Sequence, residues 1–253
     1  MTPLLEIRNA SRYFGGLHAV EGFSGYVKRG ERVGLIGPNG AGKTTLFNLI
    51  TCFTPLSTGT VLFDDVDISS LKAYQVARLG IARTFQNLRV MPNLSVFDNV
   101  SIGALGALGH SPLAALTRQT NFAKDIGQRT WEAIEQAGLQ DQASELAANL
   151  SYGKRKYLEI ARALALSPRL LILDEPAAGL NDTETAQLGE FILRLSAEGL
   201  SILLVEHDMN FVMTLCERIM VMASGRKIAD GTPQEISNDP VVLEAYLGSE
   251  EEA

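Results

Sequence analysis

Between the apolar run "RVGLI" and the helical run "TTLFNLITCF" lie Gly37, Pro38, Asn39, Gly40, Ala41, Gly42, Lys43 and Thr44, matching G-x-x-x-x-G-K-[ST]. This stretch constrains the fold more than any other, because its chemistry needs a strand before it and a helix after it. Glycines allow backbone N–H groups to curl toward phosphate oxygens without Cβ clashes. Lys43 then reaches the β and γ phosphates, and Thr44 offers a hydroxyl to Mg²⁺.

The rest of the chain reads in the same terms. "LLEIRNA" alternates like an edge strand, and "TVLFDDVDI" resembles one further strand. "AYQVARLGIARTFQ" reads as helix, Gly80 stop, then strand. From about Asn87 to Ala165 the pattern is mostly helical, with an S-x-x-D start at Ser95 and a stop at Gly138. "RLLILDE" and "SILLVEHD" are buried strands separated by a helix from about Asp182 to Ala197. "RIMVMASGRKIADGT" is a hairpin turning at Ser224-Gly225, followed by a capping box at Thr232. Strands alternating with helices imply an α/β domain with a largely parallel sheet, and the helical block is an insertion into it. "GSEEEA" at the end reads as a frayed tail.

Charge and composition remove several classes of function. The net charge is −7 and no run of five like charges occurs, which argues against a general nucleic-acid or anionic-membrane binder. Cys52 and Cys216 lie in apolar helical patterns without metal-ligand spacing and read as buried free thiols of a reducing cytoplasm. Glu6, Arg8 and Arg12 interrupt the N-terminus where an export signal needs an apolar core. Residues 99–117 carry no formal charge, but Asn99, His110, Pro112 and three glycines break them, so they read as helix plus loop rather than a membrane span.

A second half of a nucleotide site is visible downstream. The strand "RLLILDE" puts Asp174 at its mouth for the Mg²⁺ shell, and Glu175, one residue on, is placed to orient or deprotonate an attacking water. "SILLVEH" ends at His207, at the sheet edge where α/β folds hold ligands, so His207 is a candidate donor to the γ-phosphate. His18 and His110 have no such placement and read as structural. There is no N-K-x-D sequence to read guanine.

Phe14-Gly15, the glycine loop, Gln86 in "RTFQ", "LSYGK", "LLILDEP", "AGLND" and "VEHD" follow one another in that order. Together they resemble the ATP-binding cassette ATPases of membrane transporters, across essentially the whole chain, and "LSYGK" separates that family from other P-loop ATPases. The resemblance implies a P-loop NTPase (RecA-like) parallel sheet core with an N-terminal antiparallel β-subdomain and an inserted α-helical subdomain. Residues 1–86 and 167–253 would form the catalytic core, and 87–166 the helical subdomain carrying the "LSYGK" turn. It implies ATP and Mg²⁺ as cofactors. Phe14, with Tyr13 as the alternative, would stack on adenine. Residues Gly37 to Thr45, Thr45 included, would hold the phosphates, while Thr44, Gln86 and Asp174 would serve the metal. Glu175, Gln86 and His207 would be catalytic. Ser151 and Gly153 would contact ATP held by another copy, and Asn181 would lie in the loop crossing between two sites. Tyr152 and Lys154 replace a glycine and a glutamine of the family's common turn, and Asn181 stands where Asp is common.

Finer sequence features, "IARTFQNLR", "VEHDM" and the ending "DGTPQEI…VVLEAYLG", are similar to the ATPase subunits of high-affinity branched-chain amino acid importers. The implied partners are a second ATPase subunit, identical or a sister chain, an integral-membrane permease and, indirectly, a substrate-binding protein, with no nucleic acid. The implied location is the cytoplasmic face of the membrane. Urea, amide, aromatic-acid or lipopolysaccharide transport are alternatives within the resemblance. A soluble ribosome- or DNA-acting ATPase and a P-loop kinase are the alternatives outside it.

Overall fold

The computed structural model describes residues 2–108 and 119–247. Along the chain run β1 (Leu5–Phe14), β2 (Leu17–Val27), β3 (Arg32–Ile36), α1 (Lys43–Ile50), β4 (Thr58–Phe63), β5 (Val66–Asp67), α2 (Ala73–Leu79), β6 (Ile81–Arg83), α3 (Val96–Leu108) and α4 (Gln119–Gln136). After two short 3-10 turns come α5 (Tyr152–Leu164), β7 (Leu170–Asp174), α6 (Asp182–Ala197), β8 (Ser201–Val205), α7 (Met209–Leu215), β9 (Arg218–Ala223), β10 (Arg226–Gly231), α8 (Pro233–Ser237) and α9 (Pro240–Leu247). Contacts gather into two compact units, Met1–Val76 with Ile192–Ala253, and Ala77–Phe191. The expected helical block, 87–166, falls inside the second unit, which also holds β6 and β7.

In the first unit one sheet is antiparallel, in the order β2-β1-β4-β5. β1 is therefore interior, not an edge strand as its alternation suggested. One buried face, here Leu5, Ile7 and Ala10, is common to both positions in a sheet solvated on its other side. β2 gave no strand signal because its large buried residues Val20, Phe23 and Val27 fall at helix-like spacing, and the buried Gly25 between the last two has no side chain to show the alternation. Two residues of β1 (Ala10 to Arg12) span three of β2 (Phe23 to Val20), a bulge that accommodates Gly22 at φ 61°. "TVLFDDVDI" is two strands, not one. Asp64 and Asp65 both adopt left-handed φ, 53° and 62°, and turn the chain as a two-residue hairpin.

β3 lies between β8 and β9 and runs parallel to both, all three strands being buried nearly throughout, and β10 returns antiparallel along β9. In the second unit β6 and β7 are parallel, and α3, α4 and α5 pack on one another. Ser95 accepts from the Asp98 N–H at 3.0 Å to start α3, and Thr232 and Glu235 form the capping box of α8. The apolar stretch 99–117 is helical through Leu108, and His110 and the "GSEEEA" tail lie outside the described residues. Among the described residues no helix is long and apolar enough to cross a membrane.

Both cysteines are free, but neither sits inside a helix. Cys52 follows α1 with left-handed φ 54°, is half-buried and donates to the Ile68 carbonyl, and Cys216 is the buried C-cap of α7. Burial pushes the Cys216 thiol up from 9.0 to about 12. The folded state thus holds this proton more tightly than the unfolded one, so its contribution to stability is whole below pH 9.0 and is lost as pH rises toward about 12. A thiol reagent at pH 8 is expected to leave Cys216 unlabelled in the native chain and to label it on unfolding in denaturant. Rapid native labelling at Cys216 would contradict its burial.

Candidate nucleotide and signature-turn sites

The glycine loop connects β3 to α1 in the first unit, and two of its glycines are sterically required. Gly37 has φ 150°, and a Cβ there would lie 2.0 Å from the Met222 carbonyl oxygen. Gly42 has φ 100°, and its Cβ would lie 2.3 Å from the Ala19 carbonyl oxygen. β2 and β9 thus press the loop from both sides, and only hydrogen fits. Ala41 is buried and its carbonyl accepts from the Gly225 N–H at 3.0 Å, whereas Pro38 is half-buried and Asn39 and Gly40 are exposed.

Buried Lys43 folds back over this loop, its Nζ donating to the carbonyls of Gly37 at 2.6 Å and Pro38 at 3.0 Å. A phosphate oxygen is a stronger acceptor for the same ammonium. Thr44 is exposed and Thr45 half-buried in the first turn of α1, whose leading amide N–H groups have no carbonyl within the helix and no side-chain cap among the described residues. This is an anion-binding geometry.

Phe14 ends β1 with nearly half its surface exposed and the Arg12 guanidinium 4.6 Å from its ring centroid. Tyr13 is instead packed on His18, ring centroids 4.5 Å apart, and His18 also contacts Glu21 at 3.3 Å. Of the two candidate aromatics, Phe14 is therefore the one with a face to offer. His207 is exposed just beyond β8, with its backbone N–H donating to the buried Glu206, and the capping of α7 falls to Asp208, which accepts from Phe211 N–H at 3.1 Å. Tyr246 in α9 escaped the sequence reading. Burial raises its hydroxyl pKa while the Gly37 backbone hydrogen bond pulls it back, which places the C-terminal helix on the glycine loop.

In the second unit, Asp174 closes β7 almost fully buried. Arg83 donates to the Asp174 Oδ2 at 2.7 Å, and the Asp174 backbone N–H donates to Thr84 Oγ1 at 3.3 Å. Arg83 was also missed; a lone arginine on a buried strand was its only signal. Glu175 adopts left-handed φ 50°, and its Oε2 accepts from Gln86 Nε2 at 2.8 Å. These two candidates, far apart in sequence, are thus in contact.

Ser151 is the N-cap of α5, its Oγ accepting from the Lys154 N–H at 3.3 Å. Gly153 is buried, and a Cβ there would meet Glu184 Oε1 at 2.8 Å. The Tyr152 hydroxyl donates to the Ala178 carbonyl at 3.2 Å, and its ring lies over Gly179. Asn181 is the N-cap of α6: its Oδ1 accepts from the Glu184 N–H at 3.0 Å while Glu184 Oε2 accepts from the Asn181 N–H at 3.1 Å. The turn and the "AGLND" loop of one chain are therefore tied together.

The three basic residues after the turn have three different environments. Lys154 is exposed, Arg155 donates to the Leu150 and Ala148 carbonyls, and Lys156 is buried with its Nζ donating to the Glu175 carbonyl at 3.2 Å. They do not form a solvated patch.

Residues 20–178, from β2 past Glu175, match the model of the ABC transporter family. The chain belongs to this family. A second model, that of the branched-chain amino acid ATP-binding cassette transporter, matches residues 226–252. The ABC cassette is 41% identical to the high-affinity branched-chain amino acid transport ATP-binding protein LivG of Escherichia coli, covering 97% of this chain and 98% of LivG. It is 35% identical to the lipopolysaccharide export system ATP-binding protein LptB of the same organism, covering 97% and 98%. The crystal structure of the ADP conformation of MJ1267, an ATP-binding cassette of an ABC transporter, superposes with a TM-score of 0.86 at 32% identity, covering 98% and 100% of the two chains. The fold is thus the mixed α/β cassette that the motif order implied, and ATP hydrolysis coupled to transport is the family's activity.

Proposed function

We propose that this chain is the ATP-hydrolysing subunit of an importer for branched-chain or other hydrophobic amino acids. The observation that carries the substrate class is the match of residues 226–252 to the branched-chain cassette model, on top of the near full-length likeness to LivG. The C-terminal segment lies outside the general cassette model, so it discriminates within the family.

Phe14 stacks on adenine, its exposed ring supplying the π face. The backbone from Gly37 to Thr45 cradles the phosphates, and Lys43 exchanges the Gly37 and Pro38 carbonyls for phosphate oxygens. Thr44, Gln86 and Asp174 are the protein ligands of Mg²⁺. Hydroxyl, amide and carboxylate are hard oxygen donors that suit this ion, and the Asp174 carboxylate is held in place by the Arg83 guanidinium at its Oδ2. Bound Mg²⁺ supplies neutralisation of the phosphate charge. Glu175 takes the proton of the attacking water, Gln86 orients the carboxylate through its hydrogen bond, and His207 donates to the γ-phosphate. Ser151 and Gly153 serve ATP held by a second cassette, and Asn181 orders the crossing loop between the two sites.

ATP binding closes two cassettes, hydrolysis opens them, and residues 87–166 pass the motion to a permease at the cytoplasmic membrane face. Cells lacking the chain are expected to lose uptake of labelled leucine, with restoration by the wild-type chain and not by Glu175→Gln. Undiminished leucine uptake with loss of urea uptake, or an outer-membrane lipopolysaccharide defect, would replace the substrate assignment. The likeness to LptB motivates the last readout.

A further inference from the structure

Two charged side chains of α5, Lys156 and Glu159, are each 3% exposed. Burying a charge is costly unless it is hydrogen-bonded, and an apolar residue would fill either position more cheaply. Neither has a role in the nucleotide chemistry above. Both point to backbone. Lys156 Nζ donates to the Glu175 carbonyl at 3.2 Å, and the carboxylate of Glu159 accepts from the N–H groups of Phe85 at 3.4 Å and Arg89 at 3.3 Å, on either side of Gln86.

The two positions are three residues apart and so share one helix face. Around them, Tyr152 lies one turn before Lys156 with its ring 5.6 Å from the ammonium, and Arg162 lies one turn after Glu159, donating to the Arg89 carbonyl. The loops they hold are the two that meet in the Gln86 to Glu175 hydrogen bond at 2.8 Å. Glu175 also occupies a left-handed backbone conformation, φ 50°, that a side-chain-bearing residue keeps only when its surroundings hold it.

We propose that Lys156 and Glu159 are positioning residues for ATP hydrolysis, which lock the backbone of Glu175 and of the Gln86 loop to one rigid helix. This rests on the functional reading above, in which Gln86 and Glu175 act on the attacking water. Because Ser151 caps the same helix, contact of a second cassette's ATP with Ser151 is transmitted by α5 to this chain's own Gln86 and Glu175. Tyr152, in place of the common glycine, braces the device by covering the ammonium and binding Ala178.

The test is steady-state ATP hydrolysis by the full chain. Lys156→Met is expected to lower kcat at least about tenfold with KM for ATP within about twofold, and Lys156→Arg to recover most of the loss. In the Gln86→Ala background the same change is expected to cost much less, since both act through Glu175. Wild-type turnover in Lys156→Met, no recovery with arginine, or losses that simply multiply in the double variant would overturn the role. Should the methionine variant fail to fold, Glu159→Ala is read in the same cycle against the same outcomes, omitting the arginine arm. An inert Glu175→Gln beside a normal Lys156→Met removes only this role. Full turnover in Glu175→Gln removes the functional reading beneath it.

Discussion

Glu175→Gln is expected to lower the turnover number for ATP by about 10²–10⁴-fold, the range lost with a general base. That corresponds to roughly 3–5 kcal/mol of transition-state stabilisation. ATP affinity should stay within about threefold of wild type, because an interaction made only in the transition state leaves ground-state binding unchanged. The geometry favours a clean result: a glutamine carbonyl at position 175 still accepts from Gln86 Nε2, as Oε2 does now at 2.8 Å. Basicity is lost and the contact is kept. Phosphate release gives the rate and equilibrium ATP titration gives the affinity. A variant that turns over normally would mean that another group handles the water, and a variant that loses both rate and binding would mean that Glu175 is structural.

Lys43→Met should act on the opposite quantity. Removing the ammonium deletes charge-assisted hydrogen bonds worth about 1.5–3 kcal/mol each, so ATP should bind at least roughly 10- to 150-fold more weakly. The fold should tolerate the change. Lys43 is buried, and methionine fills a similar volume without leaving a buried charge unpaired. Nucleotide titration with a thermal unfolding control separates the two effects. Unchanged ATP affinity would remove Lys43 from the phosphate site, while a collapse in thermal stability would assign it to the loop's own architecture through Gly37 and Pro38.

Legibility followed the range of the interactions involved. The hairpin at Ser224-Gly225, the cap at Thr232 and the extent of α6 were readable because turn and cap chemistry act over a few residues. β2 was not readable: its bulge breaks the period of two, and only pairing with β1 supplies the missing order. The position of β1 within its sheet was hidden for a related reason, since nothing in a strand's alternation says how many neighbours it has. In the site, the reactive groups announced themselves by motif. Their supports did not, because Arg83, Lys156, Glu159 and Tyr246 act on partners distant in sequence.

By itself, then, the order of residues determined the strand, glycine loop and helix of the phosphate site, the acidic pair Asp174-Glu175, and the family. These rest on local backbone sterics and on chemistry that few residue types can perform. Only the tertiary structure decided that Phe14 rather than Tyr13 has a ring face exposed, that Gln86 meets Glu175, and that Lys156 is buried on the Glu175 carbonyl instead of being a surface charge. Each of these depends on which group folding brings against a side chain in place of water: the His18 ring on Tyr13, the Glu175 carboxylate on Gln86 and the Glu175 carbonyl on Lys156.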